Sequence, residues 1–377
     1  MKVLFIASGS PATVFGIVPL ATAMRGAGHE VFMAGNEAMV PYIASAGLPA
    51  LAAAEHEIAH YMDLARAGSG PLDLDNHRQV MEYVGSWFAL LGADSFVRLR
   101  ESLRGWRPDL LVGGTMSYAA PLLAAALDVP YVVQEWTLDD WSGTDAGALR
   151  VLEPQLAELG LKGLPEPELR IGICPPAIAH PDAPDVQPMR WRPGNKQGRV
   201  EPWMYALPDR PRVCLTAGSR ASHERGFAFL RALHDRIAPL GVEVVIPAPD
   251  PVAAELRAAM PGVLTGWIPL DTVMPTCDLV VHHSGGATTM TAADAGVPQL
   301  IIPETPVFAP PAQRLADHGA GIMIAEAEAT DEAVERACRE ILGDSRFKQR
   351  AGEIAAEIAE MPPPPTLVPQ LEKVALG

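Results

Sequence analysis

The stretch that most constrains this chain runs from Cys277 to Pro303 and reads CDLVVHHSGGATTMTAADAGVPQLIIP. An apolar run, Leu279-Val280-Val281, ends in His282-His283-Ser284-Gly285-Gly286 and gives way to small, helix-tolerant residues through Ala295. A second apolar run, from Gln299 to Ile302, follows a Gly-Val-Pro stop. The pattern predicts a strand, a glycine-rich turn, a helix and another strand, the unit of a parallel sheet. Such a turn leaves backbone N–H groups unpaired at a helix N-terminus, where the macrodipole is positive. Glycines let an anion approach that backbone, Thr288 and Thr289 add hydroxyl donors, and His283 adds a ring N–H. The stretch reads as a diphosphate cradle, although sharp glycine turns also arise in α/β proteins for geometry alone. The double histidine tips the balance. It sets two titratable rings at the carboxyl edge of a sheet, where ligands bind in open α/β folds.

Before this stretch the same alternation runs twice. Val3 to Ala7 predicts a first strand, the Gly9–Ala12 loop leads into a helix through Ala27, and Glu30 to Ala34 completes a βαβ unit. The loop lacks Gly-x-Gly-x-x-Gly and a ribose-binding acidic residue, which argues against a nicotinamide enzyme. Residues 55 to 100 are rich in rings and histidines: His56, His60, Tyr61, His77 and Trp87 among them. Gly68-Ser69-Gly70-Pro71 predicts a flexible break, and the polar stretch 56–77 is expected as a loop lining a pocket mouth for a flat hydrophobic molecule. Met81, Val84, Phe88 and Leu91 are expected as the core stripe of a helix. Asp109 to Val112 predicts a further strand, ending at Gly113-Gly114-Thr115-Met116-Ser117, then a helix from Tyr118 to Leu127 and the strand Tyr131 to Val133. Directly after it, Gln134-Glu135-Trp136-Thr137-Leu138-Asp139-Asp140-Trp141 clusters carboxylates and tryptophans at a strand's carboxyl end.

Cys174 to Pro211 is proline-rich and reads as an extended connector. A second alternation starts at Arg212, and helices over 331–342 and 346–359 close it. With 377 residues, two domains are the default. A formal net charge of −16 argues against nucleic acid or an anionic membrane as main partner. Cys174, Cys214, Cys277 and Cys338 are too far apart for a zinc or disulfide framework and are expected as reduced core residues. The apolar N-terminal run is too short for a signal peptide and no run reaches membrane-span length, so a cytoplasmic protein is expected.

His283-Ser284-Gly285-Gly286-Ala287-Thr288, preceded by His282 and by Gly266-Trp267-Ile268-Pro269-Leu270, resembles the nucleotide-sugar motif of family 1 glycosyltransferases of the GT-B fold. Gly9-Ser10-Pro11-Ala12-Thr13-Val14-Phe15, Gly113 to Ser117, Glu201-Pro202-Trp203-Met204-Tyr205 and Gly218-Ser219-Arg220 extend the likeness over essentially the whole chain. Together they resemble the actinobacterial enzymes that attach deoxysugars to aromatic polyketides, especially the angucycline C- and O-glycosyltransferases of the urdamycin and landomycin type.

The resemblance implies a GT-B, α/β architecture: two facing Rossmann-like, doubly wound domains with a cleft between them. The expected division is an acceptor domain over 1–190, a linker over 191–211, a nucleotide-sugar domain over 212–360, and a tail over 361–377 returning to the first domain. It implies an inverting, metal-independent transfer of a deoxysugar from a TDP-sugar, which is co-substrate and not cofactor, to an aromatic polyketide as C- or O-glycoside. The nucleotide-sugar contacts are expected at Ser10, Ser219, Arg220, Trp267, Ile268, His283, Gly285, Gly286, Ala287 and Thr288. Trp267 would stack on the thymine. Acceptor contacts are expected at Thr13, Phe15, His56, His60, Tyr61, His77, Trp87, Met116, Trp136, Thr305 and Phe308.

Many relatives place a histidine base where this chain has Thr13, and the subgroup's carboxylate after Gln-x-Trp is Thr137 here. The expected base is therefore Asp140, then Asp139, with Glu135 adjacent. Where many relatives place Asp-Gln against sugar hydroxyls, this chain has Thr305-Pro306-Val307-Phe308, which suits a sugar lacking hydroxyls. Two other readings stay open: a catalytically weak helper subunit, because both usual bases are missing, and a sugar-nucleotide epimerase, disfavoured by the apolar 55–100 region. A homodimer is compatible with the sequence.

Overall fold

The computed structural model describes residues 1–7, 9–70, 72–136, 138, 141–181, 185–218 and 223–377. They form two compact units: Met1–Ile173 with Pro181–Arg190 and Pro362–Gly377, and Cys174–His180 with Trp191–Met361.

In the first unit the elements run β1 (Lys2–Ile6), α1 (Pro11–Gly26), β2 (Glu30–Asn36), α2 (Val40–Ser45), β3 (Ala50–Ala54), α3 (Ile58–Ser69), α4 (His77–Ser102), β4 (Leu110–Gly114), α5 (Ala119–Leu127), β5 (Tyr131–Gln134), α6 (Asp145–Glu158), β6 (Leu169–Gly172) and β7 (Gln187–Pro188). All strands pair in parallel, in the order β3-β2-β1-β4-β5-β6-β7. The order reverses between β1 and β4, whose pairing sets Ile6 beside Gly113. Near-continuous apolar strands such as Val3-Leu4-Phe5-Ile6 are buried on both faces, as a helix-covered parallel sheet requires. The long α4 lies against α6 at glycine-only distances, Gly85 meeting the Thr144 carbonyl and Gly147 the Glu82 carbonyl.

The second unit holds α7 (Pro202–Tyr205), β8 (Arg212–Thr216), α8 (His223–Ile237), β9 (Glu243–Pro247), α9 (Asp250–Ala259), β10 (Leu264–Gly266), α10 (Leu270–Val273), β11 (Leu279–His282), α11 (Gly286–Asp294), β12 (Gln299–Ile301), α12 (Ala309–His318), β13 (Gly321–Met323), α13 (Asp331–Gly343) and α14 (Ser345–Glu360). A last helix, α15 (Val368–Leu376), packs in the first unit, where Glu372 meets His29. The second sheet is again parallel, in the order β10-β9-β8-β11-β12-β13, and reverses between β8 and β11. Alternation along β11 builds a core on each face. Leu279 and Val281 join Val213, Leu215 and Ile246 on one side, while Val280 joins Cys214, Val245 and Cys277 on the other.

Several expectations need correction. The stretch 56–77 is not a loop: α3 occupies Ile58–Ser69, with Gly68 and Ser69 inside it. Tyr61 and Ala65 recur at helical spacing and are buried, and that packing outweighs the break suggested by the glycines. The break comes at Gly70, with φ +71°. The connector 174–211 is also more structured than expected, because Gln187–Pro188 pairs with β6 as an edge strand. Met81, Val84, Phe88 and Leu91 are the buried stripe of α4, as the spacing predicts. All four cysteines are free; three are buried, and Cys174 is half-buried. Among the described residues no helix is long and apolar enough to cross a membrane.

Candidate active site

In the second unit the two strands flanking the order reversal, β8 and β11, carry the candidate nucleotide residues at their carboxyl ends. Register sets His282 beside Thr216, so Ala217-Gly218 runs alongside His283-Ser284. The crevice at such a reversal is where ligands bind in open α/β sheets. Gly218 has φ +76°, and its N–H donates to Thr216 Oγ1 at 3.1 Å. A Cβ there would lie 2.8 Å from Nε2 of His283, and one at Gly285 would lie 3.0 Å from the same atom. The His283 ring therefore sits between two positions that only glycine fills comfortably.

Past the turn, α11 begins at Gly286 with Gly285 as N-cap and no side-chain cap. The first intrahelical bond runs from the Thr289 N–H to the Gly285 carbonyl at 2.9 Å. The N–H groups of Gly286, Ala287 and Thr288 precede it, and they point out of the helix end beside His283. Thr288 is buried, and Thr289 returns its hydroxyl to the Gly285 carbonyl at 3.1 Å. Amide donors, a positive helix end and an imidazole together have the chemistry to hold an anion.

His282 differs from its neighbour. Its ring is fully buried, Nδ1 accepts the Ser284 N–H at 3.2 Å, and Nε2 lies 2.9 Å from Gln299 Oε1. Burial, helped by the nearby His283, drives its pKa down to about 3, so the ring is neutral. Two titratable rings were expected at this edge; one of them, His282, is a neutral structural group. Ser284 stands at φ +74° and donates its hydroxyl to the Phe308 carbonyl at 2.7 Å, which ties the segment Thr305–Phe308 to the turn. Thr305 is half-buried, and its Oγ1 is buried without a hydrogen-bond partner among the described residues. Trp267 is half-buried, with Lys196 Nζ 5.9 Å from its ring centroid, and Ile268 is buried.

At the carboxyl edge of the first sheet, the Gly9 loop and the Thr115-Met116 turn follow the two strands of the order reversal. Ser10 caps α1 and exchanges hydrogen bonds with Thr13, whose hydroxyl donates to the Ser10 carbonyl at 2.8 Å. Both hydroxyls thus serve the helix start, and both residues are buried. Met116, a non-glycine residue at φ +61°, is buried, and Phe15 sets its ring edge-on to Tyr42 at 6.2 Å. Trp136 donates its indole N–H to the Thr115 carbonyl at 2.9 Å and lies 6.4 Å from Phe88, which stacks on Trp87. Glu135 points elsewhere: its Oε2 is 3.3 Å from where a Gly172 Cβ would stand, toward β6.

The region 55–77 is less uniform than expected. Tyr61 is buried and donates its hydroxyl to Asp94 at 2.5 Å, with its own pKa pushed well above the ordinary phenol range chiefly by burial, so it belongs to the core between α3 and α4. Trp87 is likewise buried. His56, His60 and His77 are exposed, with the first two rings 4.0 Å apart. Asp139, Asp140, Thr137, Ser219 and Arg220 lie outside the described residues. Among the described residues no group of three His, Cys, Asp or Glu side chains gathers so as to hold a metal. Sequence reasoning missed Gln299, the polar head of a buried strand, whose signal was its place in an otherwise apolar run.

Residues 22–218 match the family model described as erythromycin biosynthesis protein CIII-like, N-terminal domain, and residues 231–374 match its C-terminal domain. The chain belongs to this family. As a member it is a glycosyltransferase, and the expected α/β class of two Rossmann-like GT-B domains holds. The L-demethylnoviosyl transferase of Streptomyces niveus is 32% identical over 97% of this chain and 96% of its own length. The aclacinomycin-T 2-deoxy-L-fucose transferase of Streptomyces galilaeus is 28% identical over 99% of this glycosyltransferase and 96% of that enzyme. The structure of glycosyltransferase SsfS6 from Streptomyces sp. SF2575, complexed with thymidine diphosphate, matches with a TM-score of 0.87 and 33% identity, covering 99% of each chain.

Proposed function

We propose that this glycosyltransferase transfers a deoxysugar from a TDP-sugar, with inversion, to an aromatic polyketide, forming a C- or O-glycoside. One observation carries the donor half: the His283 ring, wedged by Gly218 and Gly285, beside the open amides of α11. As the glycosidic bond breaks, negative charge grows on the leaving diphosphate while the sugar passes through an oxocarbenium-like state. Fixed N–H donors at Gly286, Ala287, Thr288 and His283, with the Thr288 hydroxyl, would stabilise that charge, each donor of this kind being worth about 3 kcal/mol. A relative solved with thymidine diphosphate supports the choice of nucleotide.

A relative named for 2-deoxy-L-fucose supports the choice of sugar, as does the Thr305–Phe308 segment. Ser284 holds that segment against the turn, and it offers the single Thr305 hydroxyl among Pro306, Val307 and Phe308. On the acceptor side, Trp136, Phe15 and Met116 at the first sheet's carboxyl edge suit a flat, apolar aglycone. We place the base on Asp140 first, then Asp139; Glu135 is turned toward β6. A phenol ordinarily titrates near 10, so the carboxylate needs an acidified acceptor.

Calorimetric titration of TDP into wild type, His283→Ala and Thr288→Val tests the donor reading. Affinity is expected to fall about tenfold or more in each variant, on the scale of a lost charge-assisted hydrogen bond; unchanged affinity in both overturns it. Competition of TDP-glucose against TDP-olivose tests the sugar, and a preference for glucose overturns that part.

A further inference from the structure

The donor reading uses His283 and has no role for His282, although both end β11. The hydrogen bonds at His282 leave one arrangement. An N–H arriving from Ser284 requires an unprotonated Nδ1, so the ring's single proton sits on Nε2 and is donated to Gln299 Oε1. That bond orients the Gln299 amide, whose Nε2 donates to the Thr289 carbonyl at 3.1 Å. One buried ring thereby joins the turn at Ser284, the head of β12 and the second turn of α11.

The turn needs such a hold. Ser284 stands at φ +74°, in the left-handed region that serine seldom adopts unaided. It is followed directly by Gly285 and by the amides that face the diphosphate. A change at Ser284 would re-aim the helix end while leaving β11 paired.

We propose that His282 is a positioning residue for the donor: neutral Nδ1 pins Ser284 in its left-handed turn, and Nε2–H, through Gln299, pins α11 at Thr289, so that the amides of Gly286 to Thr288 stay aimed at the diphosphate. This rests on the reading of the turn as the TDP site. The ring itself is buried and acts through its neighbours. It does so only in the neutral state that burial maintains.

Two isosteres separate its two bonds. In His282→Asn the side-chain oxygen takes the place of Nδ1 and can still accept the Ser284 N–H. In His282→Gln the amide reaches toward the place of Nε2 and leaves Ser284 N–H unserved. TDP affinity by calorimetry and donor KM against kcat are measured on both, beside melting temperature. H282Q is expected to weaken TDP binding and raise donor KM about tenfold, with a smaller change in kcat, the scale of one buried bond lost. H282N, which keeps the Ser284 bond but loses the hold on α11 through Gln299, is expected between wild type and H282Q, at about a threefold loss, although both variants melt lower. Adding Ser284→Gly to H282Q is expected to restore most of the affinity, because glycine takes the left-handed turn without help.

Equal TDP affinity in H282Q and H282N, or no recovery in the double variant, overturns the proposal. Where H282Q does not fold, hydrogen exchange in the wild type decides: Ser284 N–H is expected to be protected like a strand amide, and exchange at a loop rate overturns the proposal. Failure of the donor reading looks different, since His283→Ala and Thr288→Val would then leave TDP binding unchanged as well.

Discussion

Gly218 and His283 occupy one packing unit: a Cβ on Gly218 would stand 2.8 Å from the ring's Nε2. The two residues follow neighbouring strands, β8 and β11, and meet because register sets Thr216 against His282. Gly218→Ala would both strain a φ of +76° and push the imidazole aside. Donor kcat/KM is expected to drop about 100-fold, the cost of misplacing a charge-stabilising donor. Steady-state kinetics with the donor varied would show it, and a wild-type value would mean that the ring position is immaterial.

His282 makes stability depend on pH in a definite direction. Its folded-state pKa lies at about 3, below the unfolded value of about 6.5. The unfolded chain therefore binds the extra proton first, and stability present above about pH 6.5 is lost as pH falls toward the folded value. The loss should approach 1.4 kcal/mol per pH unit within that window. Urea unfolding at pH 7.0 and 5.0 would compare wild type with His282→Asn, which should show the shallower fall. Parallel curves would contradict the burial of a neutral ring.

Trp136 depends on a glycine of the neighbouring strand. A Cβ at Gly114 would lie 2.8 Å from Cδ1 and 3.1 Å from Nε1 of the indole. Gly114→Ala should tilt the ring, break its bond to the Thr115 carbonyl, and destabilise by about 1–3 kcal/mol, as overpacking does. Acceptor KM should rise while TDP affinity stays at the wild-type value. A change in TDP affinity alone would place Trp136 outside the acceptor site.

Arg212 is a stability anchor at the opposite, amino end of the second sheet. It is almost wholly buried, pairs with Glu243 at 2.5 Å, donates to the Ala206 carbonyl and to Thr276 Oγ1, and lies 5.8 Å from the Trp203 ring. Arg212→Met should cost about 3 kcal/mol, because Glu243 and Thr276 lose their shared partner. Chemical denaturation measures this, with donor KM expected unchanged at temperatures where the variant is folded.

Local chemistry made the cradle legible. Leu279-Val280-Val281 alternates between two apolar cores, glycines follow at once, and small residues carry the helix, so strand, turn and helix are written in adjacent residues. The same holds for β1, α1 and β2. Elements that exist through long-range pairing were not legible. Ala50–Ala54 has helix-favouring composition and becomes β3 because β2 presents an edge to pair with. Gln187–Pro188 is a strand only against β6. Ile58–Ser69 became a helix through burial of Tyr61 and Ala65 against α4, which outweighed the turn signals in its last residues.

The amino-acid sequence alone determined the class of the molecule, two doubly wound parallel sheets, and the place of the glycine-rich turn proposed to hold the diphosphate, because periodicity and glycine placement act over a few residues. Tertiary structure alone decided the difference between His282 and His283. Adjacent side chains on a strand point to opposite sides, so one ring enters a dry interior with Gln299 and loses its charge. The other meets Gly218, which lies 65 residues earlier in the chain and is brought there by sheet register.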